Sequence, residues 1–469
     1  MGSAGGCYYG VDTKAMTDVL RNRTFLRRVG EGFAWASGGS FVLKIIGMAI
    51  TFLIIARLSL HEYGTYQLSL AAWGLSLTFF FQGINQVAIA QSARRHKDGD
   101  YASMIQLGRG LLFFKIIVGI LLWTFIHFAS PILSRYYSGD IIQLLGILSW
   151  TFLAIPLSEF IRFDLSSRQR FAEQSLFDVA EEFIRGAGIL AALFVFRSGI
   201  EGLLWAMVIS IAITPLFFLP FIKADYFRLK IAFTLRPFWQ LIFDQGVWVV
   251  LQKYVRLSEK HLRLFVVQYF VGREAVALFA IAEKLLTYVM GIVPMQNILI
   301  PAISAEAGDQ DRLKTILERG IKYSLPFYFL VTLAAYISAP IFLRYFFPQY
   351  LSAVPLFSIL LLYAPFTGVS LILTSFFYSK QEQRAAFFAV LVRFGLFLVF
   401  APIMLLLFGV IGIAIEYVIS LYLYNVLRYA SIVRIYPSLS LTWQVFTRFD
   451  SYDRAVWSRI KNRLTKRSK

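Results

Sequence analysis

The chain has 469 residues, 58% of them hydrophobic and 17% aromatic, with 46 bases against 27 acids and a formal net charge of +19. That apolar share exceeds the roughly 45–50% typical of soluble domains, which excludes a soluble globular protein and indicates a polytopic membrane protein. One cysteine and four scattered histidines exclude a disulfide framework and give no metal-ligand spacing, so neither a metal nor a cofactor is expected.

The opening MGSAGGCYYGVDTKA is small and polar and holds no apolar run before a cleavage site, so it is no signal peptide. It reads as an upstream extension, with Met16 as the natural start, within an N-terminal arm over 1–33. Twelve apolar segments follow, near 34–57, 63–86, 106–129, 141–163, 175–196, 200–222, 241–270, 275–300, 321–345, 351–378, 385–408 and 410–433. Each is long enough to cross about 30 Å of hydrocarbon. Helices are required because unpaired backbone groups cannot sit in lipid, and continuous rather than alternating runs argue against a β-barrel. The expected fold is therefore all-α and membrane-integral, with about twelve transmembrane helices.

The bases set the orientation. Arg21, Arg23, Arg27 and Arg28 precede the first span, SARRHKDGD follows the second, and the later even-numbered connections are also basic. Odd-numbered connections such as SLH, RSGI and FG are short and almost free of bases. By the positive-inside rule both termini are expected to be cytoplasmic. The basic tail over 434–469, ending SRIKNRLTKRSK, lies on anionic headgroups or is a solvated end. In a soluble protein +19 would suggest nucleic acid, but no folded domain is left over to bind it, so no nucleic-acid partner is expected. No GxxxxGK[ST], GxSxG or HExxH occurs, and no external loop is long enough to hold a catalytic domain. Transport fits better than catalysis, and the chain is not expected to be an enzyme.

Two stretches align without gaps: FLIIARLSLHEYGTYQLSLA from Phe52 and LFVVQYFVGREAVALFAIAE from Leu264. Each runs from an apolar helix end through a polar turn to a glutamate, Glu62 or Glu274, and into a new span. Six spans separate them, the pattern of two parallel six-helix halves. The long connection KADYFRLKIAFTLRPFW, from Lys223 to Trp239, marks their boundary. The expected domains are an N-lobe over 34–222, a linker over 223–240 and a C-lobe over 241–433, pseudo-symmetric about a central cavity.

FLIIARLSLHEYGTYQLSLA resembles the first-to-second span signature of the polysaccharide-unit flippases. YFVGREAVALFAIAEKLL and the exit Pro301-Ala302-Ile303-Ser304 resemble their seventh-to-eighth span region, with Phe279 in place of the usual tyrosine. The family often carries an aspartate late in span seven; Glu259 is the nearest acid here. The resemblance covers roughly residues 30–435. It implies a member of the multidrug, oligosaccharidyl-lipid and polysaccharide exporter (MOP) superfamily that flips a polyprenyl-diphosphate-linked oligosaccharide repeat unit, as for O-antigen, by alternating access. A bacterial cytoplasmic (inner) membrane is then expected, with the lipid-linked oligosaccharide as substrate and with polysaccharide polymerase and chain-length machinery as possible partners. Two alternatives stand: a multidrug or cation-coupled antiporter of the same superfamily, and a membrane glycosyltransferase or polymerase.

The seventh span is charged. At about 100° per residue, Lys253, Arg256, Lys260 and Arg263 fall within about an 80° sector. The stripe is either an interfacial or salt-bridged face, with Glu259 reaching Arg256 or Arg263, or the lining of a cavity that binds a diphosphate. Lys44, Lys115 and Arg393 are further mid-span bases expected in that cavity, unless they snorkel. Glu283, Glu416 and Glu259 are the acids available for ion coupling, Glu283 alternatively pairing with Arg256 or Lys260. Gln82, Asn85, Gln86, Gln296 and Asn297 either contact sugar hydroxyls or join helices.

Overall fold

The computed structural model describes residues 23–97, 100–134, 139–222, 235–292, 309–380 and 382–442, with Leu299, Ile303, Gln444, Phe446, Asp453 and Arg454. Asn297, Gln296 and most of the 223–240 connection lie outside the described residues, as do the first 22 residues and most of the basic tail. The described secondary structure is helical throughout, with no strand.

Among the described residues, five helices are long and apolar enough to span a membrane: those over Tyr101–Ile132, Gly199–Phe221, Gln310–Phe346, Gln383–Phe408 and Val410–Ile435. Two bent pairs bring the number to seven, Gly139–Ser149 with Thr151–Ser167 at 41° and Pro348–Leu361 with Ala364–Ser379 at 46°. Of the other expected spans, 34–57, 175–196, 241–270 and 275–300 carry charges, and 63–86 is interrupted after Leu77.

By their internal packing the helices fall into two units, Met1–Arg57 with Ile84–Asp244, and Leu58–Gly83 with Gln245–Lys469. The first contains α1 (Arg23–Arg57), α3 (Ile84–Lys97), α4 (Tyr101–Leu133), α5 (Gly139–Ser149), α6 (Thr151–Ser167), α7 (Phe171–Leu190), α8 (Gly199–Phe218) and α9 (Arg236–Leu241). Helix α7 packs between α1 and α8, and α6 packs against α3, α4 and α8.

The second unit contains α2 (Leu60–Leu77), α10 (Val247–Phe270), α11 (Arg273–Met290), α12 (Gln310–Phe346), α13 (Val354–Leu361), α14 (Thr367–Ser379), α15 (Gln383–Phe408) and α16 (Val410–Ile435). Helices α10, α15 and α16 pack in sequence, and α2 lies against both α10 and α11. This grouping differs from the division at 223–240 read from the sequence. Helix α2 joins the second unit, and the boundary falls after Asp244, inside the expected seventh span.

Glycine lets α2 do this. Replacing Gly64 by a residue with a Cβ would put that atom 2.1 Å from the Arg273 carbonyl oxygen, and a Cβ at position 74 would lie 2.2 Å from the His261 ring. Only a bare backbone fits at both places. Ser59 caps α2 in a capping box with Glu62, the side chains bonding each other's backbone N–H. In the counterpart turn Glu274 occupies the first turn of α11, where a negative charge suits the helix dipole. The expected span 63–86 is not one helix. A 3-10 turn, Thr78–Phe80, follows α2, and Phe81 takes the left-handed conformation at φ 48° before α3 starts at Ile84.

Candidate functional site

Helix α10 is two-faced, as its charge pattern predicts, but the faces divide the four bases. Arg256 and Lys260 are exposed and Lys253 is half-buried, whereas Arg263 is only 1% exposed. At 100° per residue Arg256 and Arg263 differ in azimuth by only about 20°. Depth along the axis therefore separates them: α15 and α16 close over the helix two turns beyond Arg256.

Arg263 belongs to a buried ion cluster. It donates to the carboxylates of Glu259 at 2.8 Å and Glu416 at 3.2 Å, and Arg393 donates to the same Glu259 oxygen at 2.7 Å. Ser420 bonds the other oxygen of Glu416. Two bases and two acids cancel, so the cluster is neutral and knits α10, α15 and α16 together. It is not fully satisfied: Glu259 Oε2 and the Nε atoms of Arg263 and Arg393 are buried without a partner. Of the i−3 and i+4 partners open to Glu259, Arg263 is the one engaged.

The cluster continues as a stack. The Arg263 guanidinium lies 4.5 Å from the Tyr417 ring centroid, and Arg393 lies over both Tyr417 at 5.9 Å and Tyr424 at 5.5 Å. Arg428 lies 4.1 Å from the opposite end, the same Tyr424 ring. Three arginines thus alternate with two tyrosines along α16, each ring face attracting the cation beside it. Arg428 is buried with neutral partners, Thr374 at 2.6 Å, Ser370 at 2.7 Å and the Asn425 side chain.

With Arg263 and Arg393 neutralised, the positive excess of α10 rests on Lys253, Arg256 and Lys260. None of the three makes an ion pair or hydrogen bond among the described residues. Glu283, half-buried on α11, pairs with neither Arg256 nor Lys260. It is the one of the three predicted acids outside the closed cluster.

The first unit holds a separate charged centre. Lys115, 2% exposed, is ion-paired with Glu159 of α6. A cavity of about 10 Å³ beside them is lined by Asn85, Pro156 and Phe160 among others, room for roughly one water. Asn85 and Lys115 therefore come together, while Gln86 is exposed and Gln82 sits in the turn before α3, in the other unit. Lys44 is exposed.

Sequence reading missed Glu159 and the pair's neighbour Arg162, which donates to Asp178 at 2.7 Å and Glu181 at 2.9 Å across α6 and α7. The signal was present: Asp178, Glu181, Glu182 and Arg185 recur at helical spacing inside an expected span. It also missed Arg428, Tyr417 and Tyr424, whose roles depend on helices distant in sequence.

Solved structures with a similar fold include three MOP proteins. One is an inward-facing multidrug-resistance transporter of the MATE family, with a TM-score of 0.70 and 16% identity over 85% of this chain and 95% of that one. Another is the lipid II flippase MurJ in an inward closed conformation, with a TM-score of 0.62 and 16% identity over 88% and 89%. A third is a MOP transporter from Pyrococcus furiosus described as having a binding pocket of reverse polarity, with a TM-score of 0.63 and 15% identity over 88% and 96%. No curated protein matches the chain in sequence. The fold is thus the all-α, twelve-helix, two-lobed membrane architecture of the MOP superfamily. Residues 54–352 match the polysaccharide biosynthesis protein family, and the chain belongs to that family.

Proposed function

We propose that the chain is a flippase that carries a polyprenyl-diphosphate-linked oligosaccharide repeat unit between the leaflets of a bacterial inner membrane by alternating access, for surface polysaccharide such as O-antigen. The observation that carries this reading is the unpaired triad Lys253, Arg256 and Lys260 on α10 in a member of a polysaccharide biosynthesis family. A base at the bilayer centre costs at least ~3 kcal/mol unless hydrated or paired. Three such bases on one helix face, with Glu259 and Glu416 engaged in the buried cluster, supply the charge a diphosphate lacks. Arg256 offers a bidentate fork, and the lysines offer point charges.

In this reading Arg263, Arg393, Glu259 and Glu416 hold α10 in register rather than touching cargo. Glu283 is the acid left available for ion coupling, Lys115 and Asn85 form a polar site in the first unit, and Gln82 and Gln86 remain sugar-contact candidates. Both termini are cytoplasmic, and polymerase and chain-length machinery are the expected partners. One structurally similar protein is a lipid II flippase, which favours lipid-linked cargo. The multidrug antiporter alternative draws on the MATE likeness, but an unpaired cationic face repels cationic drugs.

The test is export of the glycan by cells carrying Arg256→Ala or Lys260→Ala, with membrane insertion checked by immunoblot. Each substitution is expected to abolish export at normal protein level. Full export by both variants would remove the triad's role and the diphosphate reading with it.

A further inference from the structure

Arg428 breaks the charge balance of the core formed by α10, α15 and α16. It is buried, 2% exposed, yet it meets no carboxylate among the described residues. Its acceptors are the Thr374 and Ser370 hydroxyls of α14, at 2.6 and 2.7 Å, and the side-chain oxygen of Asn425. These bonds use three of the five N–H donors of a guanidinium, and Nε is buried without a partner. All three acceptors are neutral, so a side-chain amide would tie α14 to α16 without bringing a charge. Burying an unpaired cation is costly, and the hydrogen bonds alone do not account for it.

Its place gives the charge a use. The Tyr424 ring lies between Arg428 and Arg393. Tyr424 forms a buried cluster with Ala389 and Val390, and Leu427 and, from α10, Val255 pack against it. Val255 precedes Arg256 in sequence. At 100° per residue it points about 100° away from Arg256, about 140° from Lys260 and about 160° from Lys253. Arg428 therefore stands behind α10, across the helix from the triad, at a separation of about 15 Å set by one helix and one ring. Arg263 and Arg393 cancel against Glu259 and Glu416, whereas nothing described cancels Arg428. The side chains between it and the triad are apolar, so its field crosses a medium of low dielectric and is screened far less than that of a surface base.

We propose that Arg428 is a positioning residue for the anion site on α10: it touches no cargo, and its uncancelled charge, acting through the apolar packing, strengthens the hold of Lys253, Arg256 and Lys260 on a diphosphate. This rests on the diphosphate reading of the triad given above. Coulomb's law at an effective dielectric of about 20 and a separation of about 15 Å gives nearly one pH unit for a monovalent group, and solvent at the triad lowers that to about half a unit.

The test reads the field directly, in the full-length protein in phosphatidylcholine nanodiscs. Cys7→Ser removes the one native thiol, and Arg256→Cys places a thiol in the triad. The pH midpoint of its reaction with a methanethiosulfonate is expected to rise by about half a unit in Arg428→Gln. In Arg428→Lys, which keeps the charge but not the fork, the rise should be less than half as large. An unchanged midpoint in Arg428→Gln would overturn the proposal. So would an equal rise in Arg428→Lys, since repacking rather than charge would then be the cause. With Arg256 intact, calorimetric titration of inorganic pyrophosphate should show an affinity about threefold lower in Arg428→Gln and nearly unchanged in Arg428→Lys; equal affinity in Arg428→Gln and the unsubstituted protein would also overturn it. A shifted thiol midpoint with no pyrophosphate binding by the unsubstituted protein would support the action of Arg428 on the triad and remove the diphosphate as its cargo. Should Arg428→Gln fail to accumulate, Thr374→Asp decides. An acid beside the intact guanidinium cancels its charge, so the midpoint should rise as in Arg428→Gln, and no rise would overturn the proposal.

Discussion

Glu259 is the joint of the buried cluster, and Glu259→Ala is the sharpest perturbation of it. The carboxylate serves both Arg263 and Arg393. Its loss leaves Arg263 with Glu416 alone at 3.2 Å and Arg393 with no carboxylate among the described residues. Removing one partner of a buried pair costs roughly 3–5 kcal/mol, because an uncompensated charge stays behind. The tyrosine faces beside both guanidiniums, each worth about 0.5–2 kcal/mol, place the expected cost in the lower part of that range, about 3–4 kcal/mol. For a unit of this size each kcal/mol moves Tm by about 2–4 °C, so a fall of about 6–16 °C is expected. The assay is thermal unfolding of the purified protein in detergent, followed by tryptophan fluorescence. Lys253→Ala, on the same helix but without an ion pair, should shift Tm by no more than about 1–2 °C. The double variant Glu259→Ala/Arg393→Ala should be less destabilised than the sum of the single variants, since no stranded guanidinium remains at position 393. Equal losses for Glu259→Ala and Lys253→Ala, or strict additivity in the double variant, would refute a buried and coupled cluster.

Two further expectations concern packing and charge. Lys115→Ala should destabilise the protein by roughly 3–5 kcal/mol by stranding Glu159, whereas Lys115→Met with Glu159→Met should be neutral or stabilising; the same thermal assay distinguishes them, and equal effects of the two would contradict a buried pair. Gly74→Ala should cost roughly 1–3 kcal/mol by overpacking and be relieved by His261→Ala. Gly64→Ala should have no such rescue through a side chain, because the obstacle is the Arg273 carbonyl. A neutral Gly74→Ala in the presence of His261 would show that α2 is not pressed against α10.

Much of the architecture was legible in composition alone. Runs of apolar residues long enough to cross a bilayer, continuous rather than alternating, specify helices, since outside a closed barrel only a helix satisfies its own backbone in lipid. The turn after the first span is legible as a polar stretch leading to Glu62, and the structure adds that Ser59 and Glu62 form a capping box there. What the sequence hid depends on partners distant along the chain. The angular stripe on α10 put Arg263 with Lys253, Arg256 and Lys260, because azimuth can be computed from numbering. Burial by α15 and α16 cannot, and Glu416 reaches Arg263, and Arg393 reaches Glu259, from more than a hundred residues away. The break after α2 was masked by the apolar character of Leu77 to Phe81, which reads as an uninterrupted span although Phe81 turns left-handed. Lys115 reads as a mid-span base of a cavity, and its partner Glu159 stands one span later, beyond the reach of any local spacing rule.

The seating of α2 against α10 and α11 has a consequence for biogenesis. Ribosomes deliver the chain from its N-terminus, so α2 enters the bilayer before Val247 has been made. At about 5–20 residues per second, the stretch from Leu77 to Val247 leaves this helix waiting roughly ten to thirty seconds for its partners. During that interval its glycine notches at Gly64 and Gly74 face lipid or a chaperone instead of Arg273 and His261. Truncated products ending before Gln245 would therefore carry an orphaned second helix, and co-expressing the missing half should rescue them by supplying its docking face.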